Sequence, residues 1–229
     1  KVFGISAAAA PAVTSLIYGI SALGVFYLLL ARTTELFSAA IAVLLFGLTR
    51  TVWIHHVIAE IYTFGLLLLI ALYWLALRPN GAKTIYWLAF IGGIGVAHHR
   101  AIAMAIPALL YAVYPILRAQ GRNLPRVLII SLLLGLIGFV PYLYLMLRAQ
   151  AGAAWVYGEP ETFAGLWDQF IGREASRFIG GVSSLDGLIA NFRMVTEVLL
   201  TDMTPVGVIV GVIGLFLGVR HLTTRRAAI

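Results

Sequence analysis

The sequence predicts an all-α fold, a polytopic transmembrane helix bundle of about seven spans, with an amphipathic helical loop on one membrane face. Three observations carry this expectation. Of 229 residues, 62% are hydrophobic and only 11% are charged, whereas a soluble domain carries about 25% charged residues. The mean hydropathy is +0.99. Long apolar runs recur at residues 20–31, 64–77, 127–147 and 206–219. Each extends through Gly, Ser, Thr or Tyr toward the roughly 20 residues that a span needs. Backbone polar groups in lipid must be satisfied within the segment, so these runs are helices and not open sheet.

The expected spans, all within a single transmembrane domain over residues 1–229, fall near 11–31, 36–50, 59–77, 84–97, 101–117, 127–147 and 205–219. The connections are short and carry turn residues. Arg78-Pro79-Asn80-Gly81 is one, and Gln120-Gly121-Arg122-Asn123-Leu124-Pro125 another. The connection over 148–202 is long and is interrupted by Gly158, Pro160, Gly172, Gly180 and Gly181. Inside it, Phe163, Leu166, Trp167, Phe170 and Ile171 recur at helical spacing, with Asp168 and Gln169 on another face. That pattern fits a helix lying in the membrane interface, or a loop helix packed on its own protein. No sequence repeat is evident.

No cysteine is present, so neither a disulfide framework nor a Cys-based metal site is available. Lys1-Val2-Phe3 does not read as the start of a signal peptide, and the chain is expected to be a fragment whose first span and first outer loop lie upstream. The formal charge of +7 does not point to nucleic acid, because no basic cluster with interleaved aromatics stands outside the short loops. The distribution of charge gives the orientation. If the turn at Arg32 is cytoplasmic, the inner loops hold nine basic residues (Arg32, Arg78, Lys83, Arg118, Arg122, Arg126, Arg220, Arg225 and Arg226) against the single acid Glu35. The opposite face then holds seven basic residues and eight acids. This positive-inside bias predicts an N-terminus outside and a C-terminus in the cytoplasm.

Three polar features share the outer face. The first runs from Arg50 through Trp53, His55 and His56 to Glu60 and Tyr62. Ionisable groups at membrane depth are costly unless paired, solvated or used. Glu60 suits the first turn of a helix, where the dipole favours a carboxylate, so it reads either as a helix-start acid or as a wall of a polar cavity. The second is Gly92-Gly93-Ile94-Gly95-Val96-Ala97-His98-His99-Arg100. Its glycines allow close helix approach, and Arg100 is suited to hold a phosphate through two parallel hydrogen bonds or to snorkel to lipid headgroups. The third is the loop from Trp155 through Tyr157-Gly158-Glu159-Pro160-Glu161-Thr162 to Trp167 and Arg173, which combines aromatic faces with acids. Four histidines (His55, His56, His98, His99) are in principle metal ligands. Adjacent residues on a helix point about 100° apart, however, and no carboxylate-histidine motif accompanies them, so no metal or other cofactor is expected.

In order, the segments Ile58-Ala59-Glu60-Ile61-Tyr62-Thr63, Gly93-Ile94-Gly95-Val96-Ala97-His98-His99, Pro141-Tyr142-Leu143-Tyr144-Leu145-Met146-Leu147-Arg148 and Tyr157-Gly158-Glu159-Pro160-Glu161-Thr162 resemble a bacterial family of multi-pass membrane proteins long labelled as a domain of unknown function. That family is similar to the eukaryotic protein O-mannosyltransferases of the glycosyltransferase-C superfamily. The resemblance spans residues 10 to 180. It departs from the family where Asn-His is replaced by His98-His99, and where Trp-Gly-Asp-Pro is replaced by Tyr157-Gly158-Glu159-Pro160.

The resemblance implies an inverting transfer of sugar from a polyprenyl-phosphate carrier, the donor substrate, to an acceptor on the non-cytoplasmic face. It implies an aspartate of the first outer loop as general base, ahead of the segment that Lys1 matches. It further implies that Arg100, His98 and His99 contact the donor phosphate, that Glu60 and Tyr62 line the sugar pocket, and that Trp155 and Arg173 sit over it, with His55 and His56 further donor-binding candidates. The expected partners are membrane lipids and the lipid-linked sugar, with no nucleic acid. A second expectation is an accessory subunit of a larger membrane complex. A transporter is disfavoured, since neither duplicated halves nor a charge deep within a span is evident.

Overall fold

A computed structural model describes residues 6, 9–58, 61–78, 80–154, 156–173 and 184–227. Among them every regular element is helical. Helix α1 (Ala10–Leu30) has Pro11 in its first turn, where proline's missing N–H costs nothing. Helix α2 (Leu36–Gly47) stops at Thr49, whose extended backbone turns the chain into α3 (Arg50–Val57). Then come α4 (Tyr62–Ala76) and α5 (Ala82–His98). A 3-10 turn over Arg100–Ala105 leads into α6 (Ile106–Ala119). Helix α7 (Leu124–Phe139) follows a 3-10 turn over Gly121–Asn123 and continues through another, Val140–Leu143, into α8 (Tyr144–Gln150). The last two are α9 (Phe163–Ile171) and the long α10 (Leu185–Ala227).

Each of the seven expected spans holds a helix, but the helices are not equally long. Ala10–Leu30, Arg100–Ala119, Gly121–Gln150 and Leu185–Leu217 are long and apolar enough to cross a membrane, and α2 with α3 makes a fifth such unit bent by 71°. Helices α4 and α5 have 15 and 17 residues, or roughly 22–26 Å. The span expected over 36–50 is therefore cut to the 12 residues of α2, because Thr49 leaves the helical region just where a straight helix would continue. The chain is an integral membrane protein.

Packing is organised around α4 and α5. Helix α1 lies along α4, α4 along α5, and α5 most extensively along α7. Buried Leu68, Leu72 and Ile102 form the centre, with Phe64, Leu88, Ile91, Ile94 and Leu109 around them. The α5–α7 contact depends on missing side chains. A Cβ on Gly93 would collide with the carbonyl of Gly135, and one on Gly138 with the carbonyl of Phe90. The glycine-rich run of α5 thus does bring two backbones together, as small residues do between membrane helices. Outside this core the helices present Leu, Ile, Val and Phe outward, as a lipid-facing surface requires.

The long connection differs from its sequence-based description. Helix α10 begins at Leu185, not near Pro205, and breaks at Thr204, where φ is +60°. Proline disfavours the helical conformation of the residue before it, which explains the break. The earlier start was hidden by charges. Arg193 and Glu197 interrupt the apolar pattern of Leu188, Ile189, Phe192 and Val195, yet they pair at 2.9 Å one turn apart along the helix. Helix α9 lies where the spacing of its aromatic residues placed it. Thr162 caps it by accepting from Gly165 N–H at 3.1 Å, and Gly172 ends it at φ +70°.

Candidate functional site

The chain end of α5 and the chain start of α4 meet at one end of the bundle, and the polar residues gather there. His98 is the last residue of α5, and its Nε2–H donates to the carbonyl of Ile61 at 2.7 Å. The bond ties α5 to the chain entering α4 and selects the tautomer. The chain then leaves the helix at His99, in extended geometry, and the Arg100–Ala105 turn begins. This break, rather than helical spacing, lets His98, His99 and Arg100 line one cleft side by side.

That cleft has a volume of about 540 Å³. One wall is His98, His99 and Arg100; the facing wall is the 157–159 loop and the polar side of α9, with Asp168, Gln169 and Arg173. Helix α9 is held over it from two directions. Leu166 is buried, and Phe170 packs edge-on against Phe139 and Tyr142, with centroids 5.3 and 5.5 Å away. The Arg100 guanidinium donates to the carbonyl of Phe170 at 3.1 Å, at the negative end of the α9 dipole. Gly172 has no side chain because the same guanidinium occupies that space. Arg173 pairs with Asp168 at 2.8 Å. The pair is well exposed, so it is weak and exchangeable.

A second cleft, about 370 Å³ and mostly apolar, lies beside the first between α3, α4 and the Arg100–Ala105 turn. His55, His56 and Tyr62 line it, and His99 lines both. The Tyr62 ring stands between His55 and His99, at 4.6 and 5.6 Å. The described histidines of the two motifs thus line two adjacent clefts that share His99.

His56 has a packing role. It is buried, its Nδ1–H donates to Val52 carbonyl at 2.6 Å, and its ring fills the space left by Gly19 of α1. Glu60 and Trp155 lie outside the described residues. His99 is held neutral to a pH below the usual histidine range, first by burial and then by the charges of His98 and Arg100. The sequence reading did not assign Gln169 to the site. Its side chain lines the cleft wall, and among the described residues its buried Oε1 has no hydrogen-bond partner. Its signal was a polar pair, Asp168-Gln169, inside an otherwise apolar nine-residue helix. Among the described residues no group of three or more metal-binding side chains occurs.

Residues 5–122 match the family model of the protein O-mannosyl-transferase TMEM260 N-terminal domain. The match takes in just over half of the chain. The chain belongs to this family. The resemblance to protein O-mannosyltransferases drawn from the motifs is borne out at that level. The matched region contains α1 to α6, and so the wall with His98, His99 and Arg100, while the α9 wall lies beyond it. No match was found among curated proteins or among solved structures.

Proposed function

We propose that the chain is the donor-binding part of a membrane glycosyltransferase that takes a sugar, mannose-like, from a polyprenyl-phosphate carrier on the non-cytoplasmic face. Membership of the protein O-mannosyl-transferase family is the observation that carries this reading. The cleft supports it chemically. The Arg100 guanidinium lines the cleft beside two histidines, and among the described residues it donates to a backbone carbonyl and pairs with no carboxylate. The Gln169 side chain lines the cleft beside Asp168, and Tyr142, Tyr157 and Phe170 offer aromatic faces.

In the proposed reaction an acceptor hydroxyl attacks the anomeric carbon and loses its proton to a carboxylate base. The bond from that carbon to the phosphate oxygen breaks, and the carrier leaves as polyprenyl phosphate. Negative charge grows on the leaving phosphate, where Arg100 stabilises it. The glycosyltransferase-C placement and the outward orientation belong to the same proposal.

The test compares Arg100→Ala with Arg148→Ala. Arg148 is exposed near the end of α8 and lines neither cleft. A charge-assisted bond to phosphate contributes about 1.5–3 kcal/mol, so Arg100→Ala should slow transfer roughly ten- to a hundredfold, and Arg148→Ala should leave it near wild type. Transfer from a polyprenyl-phosphate sugar by full-length protein in detergent is the measurement. Arg100→Lys keeps the charge and should recover part of the rate. Equal rates for the two alanine variants would remove the phosphate role from Arg100, and no transfer by wild type from any polyprenyl-phosphate sugar would remove the function.

A further inference from the structure

At the opposite end of α4 and α5, about 20–25 Å along the helices from the polar cleft, the chain builds a second polar feature that the transfer reaction does not use. Trp74 is in the last turn of α4. The Arg32 guanidinium carbon lies 4.3 Å from the centroid of its ring, and that of Arg78 lies 4.6 Å away. Lys83, in the first turn of α5, joins them in lining a cleft of about 530 Å³. Three cations, one from the α1–α2 connection and two from the α4–α5 turn, therefore share one space.

The local structure holds this arrangement in place. Thr84 is buried, and its hydroxyl accepts from Asn80 N–H at 2.7 Å and lies 3.4 Å from the Arg78 carbonyl, its acceptor. Gly81 turns the chain at φ +56°, a conformation that costs a side-chain-bearing residue. Together these fix the turn that carries Arg78 and Lys83. Among the described residues no carboxylate pairs with Arg32, Arg78 or Lys83. The two ring distances place the guanidiniums no more than about 9 Å apart, so their positive fields overlap within about one Debye length. Stacking on an indole orients a guanidinium but does not neutralise it.

We infer that this cleft binds the phosphate of an anionic phospholipid headgroup. Arginine forks match phosphate oxygens, and a basic pocket between membrane helices is a headgroup site. Trp87, exposed beside the cleft, and Trp74 sit where indole rings prefer the membrane–water boundary. A lipid reaches such a site from the bilayer, with its acyl chains against the apolar outer faces of the helices.

The experiment is native mass spectrometry of the full-length protein released from nanodiscs containing equal amounts of phosphatidylglycerol and phosphatidylcholine. Wild type should retain phosphatidylglycerol preferentially, and less so as salt is raised before release. Arg32→Gln, Arg78→Gln and Lys83→Gln should each reduce that retention about fivefold, and the triple variant should lose the preference. A matched variant with Arg118, Arg122 and Arg126 all changed to Gln, in the next turn at this end, should keep it. Glycerol phosphate, which has the headgroup chemistry without acyl chains, should compete only weakly; binding as tight as that of the lipid would support the phosphate site with a soluble source. Equal loss in the two triple variants would reduce the effect to diffuse charge and overturn the inference. So would wild type that shows no preference for phosphatidylglycerol, an outcome that depends on no variant's folding.

Discussion

At the scale of single residues, the adjacent histidines do different work despite their common chemistry. His56 and His98 each give a ring N–H to a backbone carbonyl, which fixes their orientation and spends one nitrogen on structure. His99 sits at the break after α5 and lines both clefts, so it is the histidine most sensitive to what enters either. Its depressed pKa makes a stability prediction with a definite sign. Unfolded, it titrates near 6.5; folded, it resists the proton. The contribution is therefore fully present above 6.5 and is lost as pH falls below 6.5 toward the folded pKa, because the unfolded chain takes up the proton first. Thermal unfolding of wild type in detergent should weaken between pH 7.5 and 5 more than that of His99→Gln. Parallel pH profiles for the two would show that His99 carries no such linkage. The sequence placed His98, His99 and Arg100 together, since neighbours in sequence stay neighbours. It did not show that two chain reversals bring Gln169 and Arg173 to face them, which depends on Phe170 finding Phe139 and Tyr142.

At the scale of elements, apolar runs were enough to place helices α1 and α4 to α7, because length and hydropathy govern what a membrane accepts, and the spacing of Phe163, Trp167 and Phe170 placed α9. Two features were not legible. The bend at Thr49 depends on how α3 docks His56 against Gly19 of α1, a tertiary contact that no local pattern announces. The N-terminal half of α10 carries a charge pair, Arg193–Glu197, that breaks its apolar signature. The glycines of α5 give the sharpest test of packing. Gly92 has open space around the position of a Cβ, whereas at Gly93 a Cβ would meet the Gly135 carbonyl. Alanine is favoured over glycine in a helix by about 1 kcal/mol, so Gly92→Ala should be neutral or stabilising. Gly93→Ala must push α7 away and should cost about 1–3 kcal/mol, as overpacking does. Thermal unfolding in one detergent decides it, and equal shifts for the two variants would mean that α5 and α7 are not in backbone contact.

At the scale of the whole molecule, the two ends of the bundle differ in kind. One end holds the cleft with Asp168, Glu159, Arg100 and the histidines; the other holds Arg32, Arg78 and Lys83 around Trp74. An inserted protein keeps its excess of basic loop residues on the cytoplasmic side. The turns at 78–83 and 118–126 contain arginine and lysine without an acid. That asymmetry predicts the orientation: Asn80 and Asn123 face the cytoplasm, and Glu161, in the loop that enters α9, faces outward. Single cysteines introduced at the three positions into a chain that has none can be labelled in intact cells with an impermeant thiol reagent. Glu161→Cys should react, while Asn80→Cys and Asn123→Cys should react only after the membrane is opened. Labelling of Asn123→Cys but not Glu161→Cys in intact cells would invert the molecule. It would also turn the Arg100 cleft toward the cytoplasm, away from a lipid-linked sugar presented outside, so the orientation and the proposed transfer stand or fall on the same experiment.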